Sequence, residues 1–157
     1  MTSPIDPQTL LRSILNLLEE TFDTHHGIFL DKGTSLFATL DKISAEQASR
    51  PMGAGGATVA AHVTHVDFYL EVVLRYMETR DATPVDWRAI WNDVRGVTPE
   101  EWDALRAKLR ASYARARGAL ERIGDWNDSD TINDALAIIV HTASHLGAIR
   151  QGLRCLT

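Results

Sequence analysis

The sequence predicts an all-α fold, a four-helix bundle, on three observations. Apolar residues recur at helical spacing over four long stretches, capping residues bound those stretches, and no segment alternates in the manner of a β-strand. With 157 residues, the chain is long enough to bury one hydrophobic core. We therefore expect a single four-helix-bundle domain that covers residues 1–157.

The first predicted helix covers residues 7–22 and begins after Asp6, which is a suitable N-cap. Its apolar positions at helical spacing are Leu10, Leu11, Ile14, Leu17 and Leu18. A further helical pattern at residues 35–43 either continues this helix after a bend or forms a separate one. The stretch 49–56 is rich in glycine and contains a proline, which predicts a loop before the second long helix.

The second and third long helices are predicted at residues 58–79 and 98–123. The third has the clearest start signal. Thr98 can act as its N-cap, Pro99 suits the first turn, and Glu101 completes a capping box.

The lengths of the connections predict how the helices run. The fourth long helix is predicted at residues 130–154. Only a short loop separates it from the third helix, and a short loop suits antiparallel neighbours. The crossover 80–96 is long enough to run back along a helix of about 30 Å, so the second and third helices can be parallel. The predicted topology is therefore up-down-down-up.

Trp87 and Trp91 lie in the crossover and Trp102 follows it; we interpret them as packing anchors rather than as ligand-stacking residues.

Charge and cysteine content exclude several classes of protein. Lys and Arg number 16 against 21 Asp and Glu, and a formal charge of −5 argues against a nucleic-acid or anionic-membrane partner. The single cysteine, Cys155, excludes an intramolecular disulfide and a cysteine-rich zinc site. Because no leader pattern and no apolar run of membrane-spanning length are evident, we expect a cytoplasmic protein without a membrane partner.

Four histidines are predicted to face the bundle interior. His62 and His65 lie on the apolar side of the second helix, and His141 and His145 are one turn apart on the fourth. The opposite side of the second helix carries Asp67, Glu71, Arg75 and Glu78. A buried imidazole needs partners for both ring nitrogens, and an unmet one costs roughly 1–3 kcal/mol. Four such rings together favour a metal site, and three histidines with a water are one known ligand set for catalytic zinc.

Two stretches carry a family resemblance. TVAAHVTHVDFYLEV in the second helix, followed later by HTASHLGAIRQ in the fourth, resembles the DinB-like superfamily, which includes the YfiT-type metal-dependent hydrolases. The resemblance covers nearly the whole chain, including ISAEQASRPMGAGGATVAAH before the second helix. It implies a four-helix bundle with parallel second and third helices, and a metal site between the second and fourth.

The resemblance also implies the metal ligands. The family pattern places one histidine about seven residues after the Ser or Thr that opens the second helix, and counting from Thr58 selects His65. The histidine pair of the fourth helix then supplies His141 and His145. His62 lies outside this triad, and we interpret it as a polar residue lining the cavity, with a fourth ligand or a proton shuttle as the alternatives.

Three other candidate residues have less defined roles. His25 and His26 lie in a loop, where exposure is the default for histidine. Asp134 precedes His141 by two turns and either orients that ring as an outer carboxylate or is solvated.

The expected cofactor is a divalent ion, zinc or nickel by preference and iron or manganese as alternatives, because imidazole ligands suit these metals. Such an ion can activate a bound water or a bound thiol. The resemblance implies both chemistries, since some relatives resemble hydrolases and others resemble transferases that use mycothiol or bacillithiol. We therefore predict a metal-dependent thiol transferase or hydrolase with a small-molecule substrate, such as a low-molecular-weight thiol. The alternatives are a non-catalytic metal- or ligand-binding stress-response protein and a purely structural role for the histidines.

A homodimer is expected, because relatives often resemble dimers.

Overall fold

The computed structural model describes residues 5–53, 56–94 and 96–155, and within these residues it contains helices and no β-strand. The predicted all-α class is therefore confirmed. The helices are α1 (Pro7–Phe22), α2 (Leu36–Leu40), α3 (Ala45–Ala48), α4 (Val59–Thr79), α5 (Ala89–Asp93), α6 (Pro99–Glu121) and α7 (Ser129–Arg154).

The long helices begin where their capping residues predict. The predicted N-caps Asp6 and Thr98 each accept a backbone N–H bond in the structure, and so does Thr58, the residue expected to open the second long helix. At Thr98 the capping box is complete, because Glu101 Oε2 accepts the N–H of Thr98 at 2.8 Å. Helix α7 begins at Ser129, slightly earlier than expected, because Asp128 accepts the N–H of Thr131 at 3.0 Å.

The short helices differ from the sequence-based expectation. Helix α2 is separated from α1 by a loop, so the pattern at residues 35–43 is not a bent continuation of the first helix. Helices α3 and α5 were not predicted. Each is only about one turn long, which is too short for a 3.6-residue period to become visible in the sequence.

The four long helices share one hydrophobic core. Helix α4 packs against α6 and α7, and α1 packs against the same two helices. Their fully buried apolar side chains include Ile14, Leu18, Leu70, Leu74, Leu109, Leu120, Ile138, Leu146 and Ile149. Burial of each such side chain contributes roughly 1.5–3 kcal/mol to the hydrophobic driving force. This packing sets α4 beside α7 along the stretches that carry the four histidines.

Trp102 anchors the start of α6 to the preceding short helices. Its side chain is buried, and its Nε1–H donates to the carbonyl of Ile43 at 2.9 Å. The indole therefore adds apolar area and satisfies its one polar group at the same time.

Asp67 was expected on the solvated side of its helix, and this prediction is wrong. Its side chain is buried against α6, where its carboxylate accepts the hydroxyl of Ser112 at 2.6 Å and lies 2.7 Å from Lys108 Nζ. Lys108 also pairs with Glu71 at 3.2 Å. The sequence pattern shows which side of a helix is polar, but it does not show which neighbouring helix covers that side.

Helix α7 also departs from an expectation. By length and composition it could cross a membrane, with an 18-residue window of mean hydropathy 1.2, although the sequence had suggested no such run. One such helix is weak evidence for a membrane span, because a helix packed in a protein core passes the same test. Its contribution of Ile138, Leu146 and Ile149 to the core accounts for much of its apolar character.

Glu20 is a buried carboxylate that orders the loop after α1. It accepts backbone N–H bonds from Ile28, Phe29 and Leu30, the shortest at 2.9 Å. Burial raises the pKa of Glu20, but the three backbone bonds outweigh burial and hold that pKa below its usual range. A carboxylate in this position therefore stabilises the fold only while it is ionised.

We expect the substitution Glu20→Gln to lower the free energy of unfolding at pH 7 by about 1–3 kcal/mol, because an amide NH₂ would face backbone donors. Since the folded pKa is depressed, the carboxylate's contribution is present above the unfolded value of about 4.5 and fades as the pH falls through the folded value. Urea unfolding at pH 7 and at pH 3 measures this difference, with exposed Glu46→Gln as the control. An equal loss at both pH values would contradict the assignment.

Candidate metal centre

The histidines reach a common site from two helices. His62 and His65 lie one turn apart near the start of α4, and His141 and His145 lie one turn apart on α7. His65 is buried, and the other three side chains are half-buried. The packing of α4 on α7 therefore brings all four rings together.

Three of the rings direct the same nitrogen at one point. The Nε2 atom of His141 lies 3.1 Å from Nε2 of His65 and 3.3 Å from Nε2 of His145. The candidate ligand atoms of these residues all lie within 4.8 Å of one another. Imidazole nitrogens placed tetrahedrally at about 2.0–2.1 Å from a zinc ion would be about 3.4 Å apart. The three nitrogens could therefore hold one ion with little rearrangement.

The protonation state of the cluster suits a metal. Burial, followed by the neighbouring histidines, lowers the pKa of His145 to about 3 and that of His141 to about 4. Burial also lowers the pKa of His65. All three rings are therefore neutral at pH 7, and a neutral imidazole is the form that binds a metal ion.

His62 contacts the outer side of this group. Its Nδ1 lies 2.8 Å from Nδ1 of His145, the nitrogen that faces away from the three-nitrogen group. Burial, followed by the proximity of His65, lowers the pKa of His62 to about 4. Two neutral rings at this distance form one hydrogen bond, in which one Nδ1–H donates and the other Nδ1 accepts.

Asp134 does not take the outer position at His141. Seven helical residues correspond to about 10 Å along the axis, and no hydrogen bond joins this carboxylate to the ring. In the described part of the chain, Nδ1 of His65, Nδ1 of His141 and Oδ2 of Asp134 are all buried without a hydrogen-bond partner. The ring of His141 is held instead by Tyr69, whose ring stacks on it with centroids 3.7 Å apart.

Two tryptophans of the crossover cover the cluster. Trp91, on α5, stacks on His65 at 4.6 Å between centroids and lies in a T-shaped arrangement with His62 at 5.1 Å. Trp87 approaches His65 at 5.9 Å. These contacts agree with the packing role expected of the crossover tryptophans, but they anchor the crossover to the histidines themselves. The four-residue spacing of Trp87 and Trp91 was visible in the sequence. The histidines that they contact could not be identified from it.

The remaining titratable candidates lie elsewhere. His25 and His26 are exposed, as expected, and Nε2 of His26 pairs with Glu19 at 2.9 Å. The thiol of Cys155 is exposed and donates to the carbonyl of Gln151 at 3.6 Å. None of the three belongs to the three-nitrogen group.

Comparison with known proteins identifies the family of the chain. No curated protein and no solved structure matches the chain. The sequence model of the DinB superfamily, in contrast, matches residues 31–149, a range that includes all of α4, most of α7 and all three candidate ligands. Since the match covers most of its length, the chain belongs to the DinB superfamily.

Proposed function

We propose that this chain is a metal-dependent enzyme whose ion is held by His65, His141 and His145. The observation that carries the proposal is the convergence of three neutral Nε2 atoms at 3.1 and 3.3 Å. Superfamily membership also fits metal binding. Zinc or nickel is the preferred ion, with iron or manganese as alternatives.

The proposed reaction is transfer of a low-molecular-weight thiol, of the mycothiol or bacillithiol type, or else hydrolysis. When bound, the ion would supply Lewis acidity that favours the deprotonated form of a thiol or water. The chain itself fixes three ligands on rigid helices and leaves the remaining coordination positions to small molecules. Trp91 and Tyr69 cover ring faces of the ligands, which limits their rotation and excludes water from those sides.

His62 is proposed to position a ligand. A metal-bound histidine commonly donates its other N–H to an acceptor, which fixes its tautomer and orientation. With Nε2 of His145 facing the cluster, its Nδ1–H would donate to Nδ1 of His62 across 2.8 Å. The alternative role of His62 as a proton shuttle stays a prediction, because the hydrogen bond of its side chain is to His145.

One observation favours a second candidate function, a non-catalytic metal- or ligand-binding protein with a role in stress response. The three-nitrogen group contains no carboxylate among the described residues, so no general acid or base of that kind accompanies it. This alternative predicts a bound ion without turnover.

We also propose the finer features of the architecture. An up-down-down-up bundle within one domain is supported by ion pairs that join Asp67 to Lys108 and Glu78 to Arg122. The residue numbers rise together on α4 and α6, as parallel helices require.

A homodimer is supported by apolar side chains exposed on α7, Leu136 and Val140. The small-molecule or thiol partner and the cytoplasmic location are proposals of the same kind.

Each ligand substitution should reduce metal binding. Loss of an outer partner alone costs about 10–100-fold in affinity, so we expect His65→Ala, His141→Ala and His145→Ala to weaken binding by more than about 100-fold. The measurement is elemental analysis of protein purified without an affinity tag, followed by zinc titration. The exposed-histidine variant His25→Ala serves as control and should retain one equivalent of metal. Retention of metal by all three ligand variants would end the proposal.

Activity should depend on the ion. Chelation is expected to abolish thiol transfer or hydrolysis in a panel of electrophilic and ester substrates, and one equivalent of a single divalent ion should restore it, since the ion supplies the activation. Turnover that survives complete metal removal would contradict the enzymatic proposal. Stoichiometric metal without turnover would favour the binding-protein alternative.

Replacement of His62 should weaken the site without destroying it. His62→Leu removes the acceptor for His145, and we expect about 10–100-fold weaker zinc binding. His62→Asn offers an amide oxygen near the same position and should recover part of that loss. Equal affinities in the wild type and His62→Leu would show that this contact does not position the ligand.

A further inference from the structure

A cavity of about 290 Å³ lies between α4, the crossover and α7. Its apolar and aromatic lining consists mainly of Val72, Val73, Tyr76, Pro84, Val85 and Trp87. Trp87 is shared with the metal centre, because its ring also approaches that of His65 at 5.9 Å. Trp87 therefore joins the wall of the cavity to the candidate ion site.

The crossover wall of the cavity is held by an arginine. Arg75 Nε lies 3.2 Å from the carboxylate of Asp81, and another nitrogen of its guanidinium donates to the carbonyl of Thr83 at 3.4 Å. The carboxylate of Asp81 in turn accepts the N–H of Thr83 at 2.9 Å. Two of the charged groups that line the cavity thus neutralise each other.

Asp134 supplies the remaining charge of the cavity. Its Oδ2 is buried and has no hydrogen-bond partner in the described residues. Burial raises the pKa of Asp134, Arg80 opposes the rise, and Asp130 adds to it. An unpaired carboxylate oxygen in an apolar, aromatic cavity matches a ligand that brings a hydrogen-bond donor and a positive charge.

The helix fixes the distance between this carboxylate and the metal centre. Asp134 and His141 are seven residues apart on α7, which places them on nearly the same side and about 10 Å apart along the axis. A ligand that reaches both ends therefore needs an apolar body of roughly that length.

We infer that the cavity binds the apolar body of a substrate whose protonated amine pairs with Asp134 and whose reacting end lies toward the histidine cluster. The placement of the reacting end rests on the proposed enzymatic function. Recognition of the amine by the cavity does not, and it can be measured on metal-free protein.

The test is calorimetric titration of metal-free protein at pH 7 with 2-phenylethylamine, 2-phenylethanol and phenylacetate. The amine should bind about tenfold or more tightly than the alcohol, and the carboxylate should bind least, because the three probes share an apolar body and differ in charge. Asp134→Asn should remove the preference for the amine. The control Asp130→Asn, one turn earlier and exposed on the same helix, should keep it.

A second variant tests the cavity without touching its carboxylate. Ala82 lines the cavity from the crossover and is exposed, so Ala82→Trp can fill the space without altering the helical core. It should reduce amine binding at least tenfold while the melting temperature stays near that of the wild type. Equal binding of amine and alcohol, an amine preference that survives in Asp134→Asn, or no binding at millimolar concentration would each overturn the inference.

The two proposals fail separately. Amine binding by a protein that never turns over with any metal would overturn the enzymatic function and leave the cavity assignment standing. Metal-dependent turnover of neutral or acidic substrates, without the amine preference, would overturn the cavity assignment alone.

Discussion

The packing of α4 against α7 is the contact on which the candidate metal centre depends, because neither helix supplies three converging nitrogens alone. This contact sets Nε2 of His141 at 3.1 Å from that of His65 and 3.3 Å from that of His145. Three neutral rings cannot satisfy one another fully in this arrangement, since each short pair needs a donor and an acceptor. One cation could accept all three lone pairs at once. Burial makes the unsatisfied ring nitrogens costly if the histidines serve only to pack. Burial also keeps the rings unprotonated, which is the form of imidazole that binds a metal ion.

The outer contacts of the ligands are uneven, and this unevenness distinguishes the three positions. The outer nitrogen of His145 meets His62 at 2.8 Å, whereas the outer nitrogens of His65 and His141 have no hydrogen-bond partner in the described residues. Those two rings are held by aromatic faces, Trp91 on one and Tyr69 on the other. Hydrogen bonding therefore orients one candidate ligand, and packing orients the other two. Buried N–H groups without acceptors cost roughly 1–3 kcal/mol each, a cost that a bound ion can offset through coordination.

Local sequence signals predicted the long helices well because helix starts are local chemistry. The capping box that Thr98 forms with Glu101 involves only residues within one turn. The ligand set needed the family pattern, since periodicity alone could not choose between His62 and His65. The burial of Asp67 was missed because it depends on how α6 lies against α4, and that register is absent from the pattern of either helix. The outer role considered for Asp134 is not observed for a simpler reason. The residue lies on nearly the same side of α7 as His141, but the two are about 10 Å apart along the helix axis.

The crossover connects these features and explains why a long irregular segment is retained in a small helical protein. Long loops in compact domains are usually functional. This one contributes side chains both to the candidate metal centre and to the cavity beside it. Trp91 and Trp87 contact the candidate ligands, and Trp87 also lines the cavity that contains Asp134. Arg75 fixes the intervening chain by contacts to Asp81 and Thr83. The helices therefore determine where an ion can sit, while the crossover determines the shape and charge of the space beside it. Changes at crossover residues that line the cavity, such as Ala82 and Pro84, would alter the space beside the candidate ion site and leave the stacking of Trp91 on His65 in place.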